Sequence, residues 1–156
     1  MAARISLPSG EFVIVDDADV HWLAKIKWHR HPCGYAQGWM AGKKILMHRL
    51  ILGIVEKPRS VMADHINGNK LDNRRSNLRT CSMQQNQQHR FRAVSNSGYK
   101  GVHFHKATGR YQCYIKSPTR RNISLGYWPN AEDAARAYDR AAVLLFGKFA
   151  QTNFTH

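Results

Sequence analysis

Within residues 63–88 a carboxylate stands beside an imidazole, Asp64-His65, and side-chain amides follow at Asn67, Asn69, Asn77 and Asn86. These residue types suit phosphodiester hydrolysis assisted by a hard cation. Mg²⁺ takes oxygen ligands and keeps several waters, so one carboxylate and one amide carbonyl suffice to hold it. An imidazole can accept the proton of a water poised for in-line attack. A bound cation neutralises charge on the phosphate and on the departing 3′ oxygen. Neighbouring strand residues point to opposite faces, so Asp64 and His65 would reach one site from different directions, which fits a ligand and a base better than two ligands. The dipeptide alone is weak evidence, because a lone histidine is more often structural. His29, His31 and Cys33 alternate as metal ligands on one strand face would. However, Pro32 interrupts that strand and no fourth ligand stands nearby, whereas structural zinc wants four.

The surroundings are cationic. The chain has 156 residues, with 24 Lys plus Arg against 10 Asp plus Glu, a formal net charge of +14. From Asn73 to Ala131 there is no acidic residue, while Arg74, Arg75, Arg79, Arg90, Arg110, Lys116 and Arg121 all fall in that interval. A merely solvated surface mixes signs, so a polyanion-binding surface is expected. An apolar content of 43% excludes a disordered basic tail. No apolar run approaches the roughly 18 residues of a membrane span. The first residues lack the apolar core of a signal peptide and the three cysteines form no CxxC pair, so a cytoplasmic chain without zinc ribbon or disulfide framework is expected.

The elements that must position these groups read as follows. Residues 4–7 and 11–15 flank Pro8-Ser9-Gly10 as a hairpin, and 17–26 suits a helix with acidic residues in its first turn. Strands follow at 27–31, 35–40 and 44–47, then a short helix at 47–54, a strand at 61–65, a polar Asn/Gly-rich loop and a polar helix from Ser82 to about Arg92. Residues 93–98 look like a linker. Beyond it three alternating strands put Val102, Phe104, Tyr111, Cys113, Ile115, Ile123 and Leu125 on one face. His103, His105, Arg110, Gln112, Tyr114, Lys116, Asn122 and Ser124 line the other. Asn130 caps a closing helix to Phe146, whose stripe of alanines, Tyr138 and Leu145 lets it lie close against that sheet.

Met47-His48-Arg49-Leu50, the run DHINGNKLDNRRSNLR at 64–79 and the QQN ending at Asn86 together resemble the His-Asn-His (HNH) homing-endonuclease family, in its phage and intron-associated branch. The spacings from His65, 12 residues to Asn77 and 21 to Asn86, agree with that branch. The resemblance implies His65 as general base, Asp64 and Asn86 as ligands of one Mg²⁺ or Mn²⁺, and Asn77 as a structural residue pinning a ββα-metal loop. The third position is Asn86 rather than histidine, which favours an oxygen-only site over zinc; His89, on the same helical face, is the rival ligand. Arg74, Arg75, Arg79 and Arg90 are then expected on phosphates. His48 and Arg49 stay open between packing and phosphate contact, while Asn67, Asn69 and Asn73 read as turn formers.

Residues 98–154 resemble the Apetala-type, ethylene-response-factor DNA-binding domain, through Tyr99-Lys100-Gly101-Val102, Leu125-Gly126-Tyr127-Trp128, Ala134-Ala135-Arg136-Ala137-Tyr138-Asp139 and Asn153-Phe154. That family lays a three-stranded sheet in the major groove. The resemblance implies DNA contacts from His103, His105, Arg110, Tyr114, Lys116, Arg121, Asn122 and Ser124. Plant members carry more Arg and Trp on this face, so base preference does not transfer.

The expectation is an α+β chain: a ββα-metal nuclease module over 1–94 (a strand-rich part to 46, the core over 47–94), then a three-stranded antiparallel sheet packed on one helix over 95–156. Its activity would be metal-dependent hydrolysis of double-stranded DNA by a site-specific homing or nicking enzyme, one cation per site, acting as monomer or homodimer without a small-molecule cofactor. The competing reading is a non-catalytic DNA-binding regulator on a vestigial scaffold. RNA binding is disfavoured, since Tyr114 alone is positioned to stack on unpaired bases.

Overall fold

A computed structural model describes residues 1–58, 60–89, 97–119 and 121–154. The chain divides into two compact units, Met1–Met83 and Gln84–His156. The expected boundary near residue 95, and Arg90, lie outside the described residues, as does the His89 side chain.

In the first unit β1 (Ala2–Ser6) and β2 (Phe12–Asp16) form an antiparallel hairpin. Helix α1 (Asp17–Leu23) follows, with Asp17 and Asp19 in its first turn. Strands β3 (His29–Arg30), β4 (Ala36–Met40) and β5 (Lys43–Leu46) make an antiparallel sheet in the order β3-β4-β5. The turn between β4 and β5 is Ala41-Gly42, both at positive φ, the geometry whose twist matches a two-residue hairpin. Helix α2 (Met47–Ile51) leads to β6 (Val61–His65) and β7 (Leu78–Ser82), paired antiparallel with Asp64 opposite Arg79 and His65 opposite Leu78. Helix α3 (Met83–His89) begins at the last residue of this unit, and its other residues belong to the second.

Strand β7 is not apparent in the sequence. Arg79 turns to Asp64 across the ladder, so an ion pair stands where alternation would call for an apolar residue. The core joins Leu7, Val13, Val15, Leu23, Trp28, Ala36, Ile45, Met47, Ile51 and Leu78. Burying each Val, Leu or Ile stabilises by about 1.5–3 kcal/mol, and Leu78 is the link that ties the β6-β7 hairpin to this core. The loop between β6 and β7 is stitched to β2: Ile14 N–H donates to Leu71 O (2.8 Å) and Asn73 N–H to Ile14 O (2.7 Å).

The second unit is a three-stranded antiparallel sheet, β8 (Val102–His105), β9 (Arg110–Lys116) and β10 (Asn122–Trp128), with β9 central. Helix α4 (Ala131–Phe146) packs on it, its N-cap Asn130 accepting from Asp133 N–H at 2.8 Å. Ala134, Ala135, Tyr138 and Ala142 meet Val102, Cys113 and Ile115 in the core. Gly101, at φ 77°, is required by that packing: a Cβ there would lie 2.2 Å from the Tyr138 ring. The buried Asp139 carboxylate accepts from Asn153 N–H (2.7 Å) and Phe154 N–H (3.0 Å), and Lys100 N–H donates to Asn153 Oδ1 (2.7 Å), so the last described residues close the fold. Among the described residues no helix is long and apolar enough to cross a membrane.

Candidate active site and nucleic-acid interface

The two chemistry-bearing residues of β6 are both buried, Asp64 at 6% and His65 at 5% exposure. The Asp64 Oδ2 receives Arg79 Nε at 2.7 Å and lies 2.6 Å from Arg79 Nη2. The His65 ring stacks near Tyr35 (centroids 5.9 Å) and meets His48 edge-on (5.1 Å). Its Nε2 lies 3.3 Å from Asn73 Oδ1; with that oxygen as acceptor, Nε2 carries the proton and Nδ1 keeps the lone pair. Burial pushes the His65 pKa below its ordinary value, against the opposing pull of the Asn73 hydrogen bond and of Asp64 and Asp72. The result is a neutral imidazole, which is the form a general base requires.

His48 is buried too, and burial drives its pKa down to about 3, with the charges of His65 and Arg49 acting in the same sense. It packs on Tyr35 at 4.8 Å, and its Nδ1 has no hydrogen-bond partner among the described residues. His48 is thus enclosed between the Tyr35 and His65 rings. Arg49 donates to the carbonyls of Val61 (2.9 Å), Ile54 (2.7 Å) and Lys57 (3.1 Å), closing the segment that leads into β6.

Asn77 ties Asn67 to Asp72 through its side chain. Its Oδ1 accepts from Asn67 N–H (3.0 Å), and its Nδ2 donates to Asn67 Oδ1 (2.9 Å) and Asp72 O (2.7 Å). Asn67 and Asn69 each accept from the backbone two residues on, the Asx-turn habit. Asn73, by contrast, is fully buried against His65 and is more than a turn former. Arg74 forks onto Asp72 (2.8 and 2.6 Å) and lowers that carboxyl's pKa, with Asn67 assisting. Arg75 forks onto the buried Asp19 (2.9 Å twice) and reaches Ile51 O (3.1 Å). The arginines expected on phosphate at 74, 75 and 79 each hold a buried carboxylate, Asp72, Asp19 and Asp64, and Arg74 and Arg75 lower the pKa of theirs. Tyr35, Asp72 and the inward role of Asn73 escaped the sequence reading; only the distance of Tyr35 in sequence hid it, since no pattern links residue 35 to residue 65.

Asn86 lies on α3, one turn in from Met83. Among the described residues no three His, Cys, Asp or Glu side chains gather as a metal cluster. His31 Nδ1 accepts from Cys33 N–H (3.1 Å).

On the second unit, the sheet face away from α4 carries the residues that alternation assigned to it. Arg110, Lys116, Arg121, Asn122 and Ser124 are exposed. His103 stacks flat on Tyr114, centroids 4.9 Å apart and 6° between planes. A β-bulge between Ser124 and Gly126 switches the parity of β10, so Tyr127 joins this face opposite Gln112 and meets His105 edge-on at 5.4 Å. Gly126 inside the strand was the available signal for that bulge.

The sequence profile of the HNH endonuclease family matches residues 57–88. A protein of Acanthamoeba polyphaga mimivirus, described as an uncharacterized HNH endonuclease, is 33% identical over 134 residues, covering 84% of this chain and 68% of its own length. This chain belongs to the HNH endonuclease family. It also carries a region similar to plant DNA-binding proteins: an AP2-like ethylene-responsive transcription factor of Arabidopsis thaliana is 44% identical over 59 residues. A dehydration-responsive element-binding protein of Oryza sativa subsp. indica is 41% identical over 61. Each of these matches covers 38% of the HNH chain but only 12% and 22% of the respective plant protein.

Proposed function

We propose that this HNH chain hydrolyses phosphodiester bonds in double-stranded DNA with one Mg²⁺ or Mn²⁺, nicking one strand per encounter, as a homing or site-specific enzyme. The observation that carries the reading is His65: an imidazole beside a buried carboxylate, held neutral by burial and oriented through Asn73 so that Nδ1 keeps its lone pair. The donor chemistry fits a hard cation. Asp64 offers a carboxylate oxygen and Asn86, by the family resemblance, an amide carbonyl; water would complete the shell. Bound there, the cation would neutralise charge on the phosphate and the departing 3′ oxygen. His65 Nδ1 takes a proton from the attacking water, and Asn73 steadies the imidazolium that results. Asn77 holds the loop that carries Asn73 in register. The second unit anchors duplex DNA through His103, His105, Arg110, Tyr114, Lys116, Arg121, Asn122 and Ser124, with Tyr127 added to that face. In the first unit Arg49, Arg74 and Arg75 act on DNA indirectly, by shaping the surface.

A supercoiled-plasmid assay with and without Mg²⁺ tests this. Wild-type protein should convert supercoiled to open-circular DNA only with the cation, while His65→Ala binds duplex normally in gel shift and cuts nothing. Retained nicking by His65→Ala would remove the base assignment, and metal-dependent nicking absent from wild type would favour a DNA-binding regulator.

A further inference from the structure

The Asp64 side chain is 7% exposed and its counter-ion Arg79 12%, so the pair is nearly dehydrated. Both Arg79 contacts, at 2.6 and 2.7 Å, fall on the same oxygen, Oδ2. A divalent cation taking a carboxylate oxygen sits about 2.0–2.6 Å from it. A guanidinium and a divalent ion on one buried carboxylate would then stand within roughly 4–5 Å of each other, where like charges in a poorly screened interior repel strongly. The two therefore compete. The register makes the competition intrinsic, since Asp64 and Arg79 face each other across the β6-β7 ladder.

We propose that Arg79 is a positioning residue that occupies the cation's place at Asp64: it holds the carboxylate in place while no metal is bound, and it must turn away when metal arrives. This rests on the reading that Asp64 is a metal ligand. Arg79 thus sets a threshold for metal binding, and the guanidinium released at the site is left facing whatever phosphate has been brought there. Metal and DNA would load together rather than singly.

Mn²⁺ titration of DNA-free protein, followed by calorimetry or by the electron-spin signal of free Mn²⁺, tests this directly. Arg79→Gln should bind Mn²⁺ about tenfold more tightly than wild type, within the usual range of coupling between two sites. Arg79→Lys, which keeps the charge but loses the fork, should fall between them. Mn²⁺ should raise the melting temperature of Arg79→Gln more than that of wild type, because the ion replaces the missing counter-ion. A purely structural Arg79 predicts the opposite sign, weaker binding in a damaged site. If Arg79→Gln does not fold, Arg79→Lys alone decides: wild-type or weaker affinity overturns the inference. Asp64→Asn separates the two levels. Loss of Mn²⁺ binding in Asp64→Asn with no gain in either Arg79 variant sinks the competition and leaves the ligand assignment standing; unchanged binding in Asp64→Asn sinks both.

Discussion

Lowering the pH should weaken the first unit through His48, and replacing that residue with phenylalanine should remove the effect. In the unfolded chain the imidazole titrates at its ordinary 6.5, whereas in the fold burial holds it down to about 3. Below 6.5 the unfolded state therefore binds a proton that the folded state refuses. The sign follows: this contribution to stability is intact above 6.5, and it is lost progressively as pH falls from 6.5 toward about 3. At about pH 5 the unfolded imidazole is stabilised by protonation by about 2 kcal/mol, taking 1.36 kcal/mol per pH unit below its midpoint, while the folded one is still neutral. No discount for solvent applies, because His48 is 5% exposed. Phe at this position keeps a ring against Tyr35 and His65 and deletes the unpartnered Nδ1. Any packing penalty or gain is independent of pH and drops out of the comparison. The assay is urea unfolding of wild type and His48→Phe at a series of pH values, followed by tryptophan emission. Three of the four tryptophans, Trp22, Trp28 and Trp39, lie in the first unit and report on it. The stability difference between the two proteins should shift by about 2 kcal/mol in favour of His48→Phe between about pH 7.5 and pH 5. Parallel curves over that interval would refute the claim that this imidazole is kept neutral by burial.

Asn77→Ala removes three hydrogen bonds and leaves Asn67 N–H and Asp72 O without that partner, so a loss of about 2–4 kcal/mol in urea unfolding is expected. The midpoint of the fall in nicking rate at low pH should lie below the ordinary imidazole value of 6.5, since burial lowers the His65 pKa; a midpoint at or above that value in a pH–rate profile would contradict a neutral buried base. Gly101→Ala drives a Cβ into the Tyr138 ring and strains a positive φ, and should cost the second unit more than about 3 kcal/mol by thermal melting while sparing the first. Lys116→Ala should weaken duplex binding at all sequences alike and reduce the slope of log affinity against log salt by about one, as read by fluorescence anisotropy.

Much of the second unit was legible because its signals are local. Strict alternation from Val102 to Leu125 separates the two faces, and Asn130 and Gly147 mark both ends of α4. Alternation fails at the bulge, where one extra residue carries Tyr127 to the outer face. In the first unit the pair Asp64-His65 and its distances to Asn77 and Asn86 are visible in the sequence. What surrounds His65 is not. Tyr35 comes from the turn before β4, His48 from α2, and Asn73 from a loop sewn to β2, contacts that only long-range packing creates. The partners of the basic residues are hidden for a related reason. A sequence shows a charge but not its partner, and Arg49, Arg74, Arg75 and Arg79 each find one inside the molecule.

The β6-β7 loop contains Asn67-Gly68, the dipeptide at which polypeptides age fastest, because an unhindered glycine nitrogen can attack the neighbouring amide carbon and expel ammonia. Here that nitrogen is engaged: Gly68 N–H donates to His65 O at 2.9 Å. The amide it would attack is clamped as well, Nδ2 on Asp72 (2.8 Å) and Oδ1 beneath Asn69 N–H and Asn77 Nδ2. Deamidation should therefore be confined to molecules that have opened, and peptide mass mapping of stored protein would find conversion at Asn67 only after partial unfolding. Once it occurs, the new carboxylate faces Asp72 across the same short distance, so the lesion would resist refolding and the damaged fraction would accumulate as a separate, non-returning population.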